Sequence, residues 1–104
     1  MASGGIDVYA TPAMVALMEA AALAAIDPLL PEGHASVGVS LNIKHIAATP
    51  IGHTVRARAE VVEVDGRRVL FNITAWDEKE MIGEGEHTRV VIEVERFMRG
   101  VNGK

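Results

Sequence analysis

The sequence predicts an α+β domain in which a curved antiparallel sheet curls around one apolar helix. Three features predict it. An apolar run from Ala13 to Ile26 follows Thr11-Pro12, the hydrophobic period changes to two after the loop L-L-P-E-G-H, and Asp65-Gly66 separates two alternating stretches.

The elements follow in order. The ten residues M-A-S-G-G-I-D-V-Y-A hold Gly4-Gly5 and no apolar alternation, so 1–10 reads as a loop. Thr11 reads as an N-cap and Pro12 as the first helical residue, giving a central helix over 11–27 that ends at Asp27-Pro28. Its apolar residues lie on all sides, so protein should wrap most of its surface. Strands occupy 36–97. In the first, Val37, Val39, Leu41 and Ile43 share the inner face. The second carries Val55, Ala57, Ala59 and Val61, with a bulge at Val61-Val62 where the phase slips. After the Asp65-Gly66 hairpin, Val69, Phe71, Ile73 and Ala75 form one face of the third. The loop D-E-K-E leads to a fourth strand from Met81 to about Val94, bent near Gly83 and Gly85, with Val90, Ile92 and Val94 facing inward. The tail 98–104 is expected to be weakly ordered. No internal repeat is present. A sheet of this kind leaves edges, which invite a second copy.

The totals exclude several functions. A chain of 104 residues, 49% hydrophobic, suffices for one core but not two, so 1–104 should be a single domain. Ten basic residues against 14 acidic give a net charge of -4 with no basic cluster, so no nucleic acid partner is expected. With no cysteine, a disulfide framework, a thiolate metal site and a cysteine nucleophile all fall away, and a cytoplasmic location is expected. No H-x-x-x-H or H-x-H spacing occurs, so neither metal nor cofactor is expected. The run Ala13 to Ile26 is shorter than the roughly 20 residues of a bilayer span, contains Glu19 and follows no basic region, so neither membrane span nor signal peptide is expected.

Glu19 is the one charge inside the apolar helix, so it either marks a solvent-facing stripe or faces a partner or a wet cleft. Counting by twos from Val37 reaches His45, which therefore faces the helix. A carboxylate beside an imidazole is an acid/base arrangement, and a helix start offers N–H groups to a developing oxyanion. Thr11 is the third candidate. Eight residues of helix separate it from Glu19, a rise of about 12 Å, while one imidazole bonded at both nitrogens spans roughly 8 Å. A glutamate leaning toward the N-terminus closes part of the gap; a site shared between two chains is the favoured alternative. His34 and His53 lie in loops, and His87 has a strand position without an evident partner. Lys44, Arg56 and Arg58 are candidates for a phosphate, or simply a solvated strand face.

The segments V-Y-A-T-P-A-M-V-A-L-M-E-A-A-A, V-G-V-S-L-N-I-K-H-I-A-A-T-P-I-G, V-V-E-V-D-G-R-R-V-L-F and G-E-G-E-H-T-R together resemble hot-dog fold thioesterases, in the group similar to fluoroacetyl-CoA thioesterase. The resemblance covers nearly all of residues 8 to 98. It implies a curved sheet around a central helix, a homodimer joined sheet edge to sheet edge, and acyl-CoA as substrate. It implies Thr11, Glu19 and His45 as the catalytic set, with Gly38 against the acyl group and Arg89 near the substrate. The alternation Val90, Ile92, Val94 turns Arg89 to the opposite face, and Gly38 has a second reading as a glycine that only admits a neighbouring backbone. The family's usual strand ahead of the helix is expected to be missing. The activity implied is hydrolysis of a short acyl-CoA; a hot-dog dehydratase or hydratase, or a non-catalytic acyl-CoA-binding dimer module, are the alternatives. Whether Glu19 activates water or attacks the carbonyl itself stays open.

Overall fold

The computed structural model describes residues 2–3 and 6–104, with side chains from Val8 onward. Its order is β1 (Ala2–Ser3), β2 (Ile6–Tyr9), α1 (Thr11–Ile26), a 3-10 turn (Asp27–Leu29), β3 (His34–His45), β4 (Arg56–Asp65), β5 (Arg68–Trp76), β6 (Met81–Glu93) and α2 (Val94–Asn102). The last four strands form an antiparallel sheet in the order β3-β6-β5-β4. The meander of β4, β5 and β6 is the one the sequence predicts, and β3 joins it at β6, leaving β3 and β4 as edges.

The core lies between α1 and the inner face of the sheet. Met14, Met18, Ala22 and Ile26, four residues apart, form one stripe of the helix. They pack with Val69, Phe71, Ile73, Ala75 and Ile82. The inner face of β5 is thus the expected one, and the bulge on β4 falls between Val61 and Glu63 as expected. The helix is less enclosed than its composition suggests. Ala16, Ala20, Leu23 and Ala24 are exposed, because one sheet covers only one side and alanine leaves little apolar area to hide. Thr11–Leu29 is long and apolar enough to cross a membrane by composition, with a mean hydropathy of 1.5, a test that a sheet-packed core helix also meets.

Three expectations need correction. The segment ahead of α1 is not all loop: Ile6–Tyr9 pairs antiparallel with Ala2–Ser3. Val8 also bridges Pro50, and the Tyr9 N–H donates to the Thr49 carbonyl at 2.8 Å. Four residues are too few to display an alternation, so this strand leaves no periodic signal; Met1, Gly4 and Gly5 of the expected loop lie outside the described residues. The tail forms a helix, since Val94, Phe97, Met98 and Val101 recur at helical spacing and Glu95 pairs with Arg99 at 3.3 Å. The strands accordingly end at Glu93 rather than 97. Finally, β3 carries a bulge between Gly38 and Ser40. Ser36 and Gly38 therefore share the inner face with Leu41, Ile43 and His45, while Val39 is half exposed.

The turn between β5 and β6 is tied down by Asp77. Its carboxylate accepts from the N–H groups of Lys79 and Glu80 at 2.8 and 2.9 Å and from the Thr49 hydroxyl at 2.9 Å. The Lys79 N–H leads in holding the Asp77 carboxyl below its ordinary value. A depressed carboxylate stabilises the fold fully above the unfolded value and ceases to do so as the pH falls through the folded one. Thermal melting of wild type and Asp77→Asn should therefore differ at neutral pH, begin to converge as the pH falls below the ordinary carboxylate value of about 4, and meet only below the lower folded value.

Candidate active site

The site begins at the first residue of α1. The helix is capped by Ala10, in extended conformation and without a side-chain cap bond, so Thr11 is not the N-cap expected of it. Pro12 carries no N–H, and that of Ala13 is bonded to the Ala10 carbonyl at 3.0 Å, so Thr11 alone is left to supply an N–H there. Released from capping, the Thr11 hydroxyl lies 2.8 Å from His45 Nδ1. The opposite ring nitrogen, Nε2, is buried and has no partner among the described residues. Such a group costs free energy unless something binds it. Tyr9 and Ala47 join Thr11 and His45 around a cavity of about 260 Å³, and burial raises the Tyr9 phenol above its ordinary value.

Because the hydroxyl caps nothing, Thr11→Val should leave stability within about 0.5 kcal/mol. The same change should slow the thioester hydrolysis that the family resemblance implies by about tenfold to a hundredfold, measured as thiol release.

Two turns up the helix lies a second cluster. Glu19 is half-buried, and its Oε2 lies 2.9 Å from where a Cβ would stand on Gly38. His87 Cε1 and Arg89 Nη1 approach the same point at 3.0 and 3.4 Å. Any side chain here would displace the carboxylate, so Gly38 holds the space open beside Glu19.

Arg89 faces inward and is 4% exposed, contrary to the alternation of Val90, Ile92 and Val94. Val91, not its neighbours, packs against the core. Val90 and Ile92 mislead because the last residues of β6 are partly buried on both faces, so hydrophobicity there does not mark the inner one. His87, 1% exposed, belongs to the site although the sequence offered it no partner. The spacing Gly83, Gly85, His87, Arg89 was the available signal: one face that starts empty and ends polar.

Within one chain these clusters remain apart. Thr11 and His45 stand at one end, Glu19, Gly38, His87 and Arg89 at the other, separated by about 12 Å of helix rise. Of the phosphate candidates, Arg58 pairs with Glu60 at 3.5 Å, Arg56 covers the Trp76 ring at 5.3 Å and Lys44 is exposed. His34 is exposed and within 3.2 Å of the Glu32 carbonyl, and His53 lies 3.8 Å from Glu78.

Residues 1–95 match the family of fluoroacetyl-CoA-specific thioesterases. The chain is 43% identical over 98 residues to the fluoroacetyl-CoA thioesterase of Streptantibioticus cattleyicolor, covering 94% of this chain and 70% of that one. A solved fluoroacetyl-CoA thioesterase structure superposes with a TM-score of 0.92 at 42% identity, covering 97% of this chain and 75% of the other. A hot-dog-like protein from Thermanaerovibrio acidaminovorans superposes at 0.86 with 29% identity, covering 91% and 70%. With its sheet curled around α1 and its match across nearly the whole length, the chain belongs to the fluoroacetyl-CoA-specific thioesterase family of the hot-dog fold.

Proposed function

We propose that this protein hydrolyses a short acyl-CoA thioester to the free acid and CoA, at a site shared between two copies. The observation that carries the reading is the Thr11–His45 pair, with a buried ring nitrogen left without a partner. Water, attacking directly or after Glu19 has formed an anhydride with the acyl group, supplies the new C–O bond, the C–S bond breaks, and the CoA sulfur leaves as a thiol with a proton from the imidazole. In this reading the Thr11 N–H donates to the carbonyl oxygen as it gathers charge, and Glu19 serves the attack as base or as nucleophile.

Chain pairing supplies what one copy lacks. The free edge of the sheet at β3 is open to a second β3. Antiparallel pairing about a dyad perpendicular to the sheet, midway between Gly38 and His45, sets Gly38 of one copy opposite His45 of the other. Both helices then stay on one face, and the Glu19 cluster of each copy meets the Thr11–His45 pair of its neighbour. A short acyl group suits this arrangement, since Gly38 leaves only the room of a missing side chain.

The test is complementation. Glu19→Gln and His45→Ala, each inactive alone, are unfolded together and refolded as a mixture. A shared site restores about a quarter of wild-type thiol release, since half the dimers are mixed and each of these holds one intact site. A site contained in one chain restores none, which would end the shared-site reading.

A further inference from the structure

We infer that His87 is a positioning residue of the acyl-CoA site: an imidazole protonated at Nδ1 that aims the Arg89 guanidinium at the corner between Gly38 and Glu19. The inference rests on the proposed hydrolysis and extends it to a group for which the reaction itself has no use.

Hydrogen-bond chemistry fixes the ring's state. His87 Nδ1 lies 2.8 Å from the Ser40 carbonyl oxygen, which can only accept, so Nδ1 donates. On the other side, Nε2 lies 3.2 Å from Arg89 Nη1, and a guanidinium can only donate, so Nε2 accepts. Only the neutral ring with its proton on Nδ1 satisfies both. Phe71 packs against that ring with centroids 6.0 Å apart and fixes its plane.

The same chain of bonds orients Arg89. Its Nε donates to the Ser36 hydroxyl at 2.7 Å and Nη2 to the Ser36 carbonyl at 2.9 Å. Ser36 is held in turn by Asp27, through its hydroxyl at 2.5 Å and its N–H at 3.2 Å. The ion pairs among the described residues, His53–Glu78, Arg58–Glu60 and Arg99–Glu95, do not involve Arg89. Its buried charge therefore stays available beside the Gly38 corner, where a thioester oxygen or the Glu19 carboxylate can use it. Ser36 holds the plane of the guanidinium, and His87 Nε2 supplies the third bond, the one made to the Nη1 end that faces the Gly38 corner.

Two substitutions separate the ring's functions, since Asn reaches about as far as Nδ1 and Gln about as far as Nε2. His87→Asn keeps a donor for Ser40 and loses the acceptor for Arg89; His87→Gln keeps an acceptor and loses the donor. The expected result is a fall in kcat/KM of about tenfold to a hundredfold in His87→Asn, most of it recovered in His87→Gln. The Arg89 Nε–H resonance of the 15N-labelled protein should broaden or shift in His87→Asn and return in His87→Gln. Equal kinetics in the two variants, or an Arg89 resonance unmoved in His87→Asn, would overturn the inference. Because the resonance is read without substrate, it decides the positioning role even if wild type releases no thiol, a result that would sink the hydrolase reading instead.

Discussion

Glu19→Gln should slow thiol release from a short acyl-CoA by about a thousandfold while leaving the melting profile within about 0.5 kcal/mol of wild type. The substitution keeps shape and volume and removes only the charge. Glu19 is half-buried at a corner held open by Gly38, so no core packing is lost. The chemistry, in contrast, needs an anion whether the carboxylate takes a proton from water or attacks the carbonyl carbon directly, because a neutral amide is a poor base and a poor nucleophile. Single-turnover hydrolysis in 18O-labelled water separates the two routes. An anhydride opened at the Glu19 carboxyl carbon leaves the label in Glu19 and none in the released acid after that one turnover, whereas water activation labels the acid and leaves Glu19 unlabelled. Rates equal to wild type in the glutamine variant would remove Glu19 from the mechanism altogether.

The largest loss of stability is expected from Gly85→Ala, about 3 kcal/mol or more in urea unfolding. A methyl group there would overlap the Asn42 carbonyl oxygen and lie 2.5 Å from the Ile43 Cα and 2.7 Å from its side chain. Two of the three obstructing atoms belong to backbone, which cannot swing aside as a side chain does. Gly85 pairs with Ile43 in the β3–β6 ladder, two residues from His45 and on the same ladder as Gly38. The damage would thus reach both clusters of the site, and residual activity should fall with the folded fraction. A variant as stable as wild type would show that the two strands part without cost.

Much of this architecture is written locally. Met14, Met18, Ala22 and Ile26 keep helical spacing, Val69 to Ala75 alternate without interruption, and the hairpin at Asp65-Gly66 needs only its two neighbouring strands. Thr11, Glu19 and His45 stood out for the same reason: each is a polar group in an apolar frame. What escaped depends on partners distant in sequence. The bulge on β3 follows from pairing with β6, so the inward position of Ser36 and Gly38 could not be counted from Val37. The burial of His87 and Arg89 depends on Ser36 and Ser40, about 50 residues away. The short strand Ile6–Tyr9 is visible only through its bonds to the segment around Thr49, and the glycines of the tail concealed a helical stripe.

The bulge at Val39 makes one strand behave as two, with even-numbered residues turned to the helix before it and odd-numbered ones after it. Upstream, small and hydroxylated residues accommodate a cation; downstream, aliphatic ones lead to a base. Were Val39 paired in regular alternation, with no bulge, Ser36 and Gly38 would turn outward and leave Arg89 in the interior with its hydrogen-bonding companions gone.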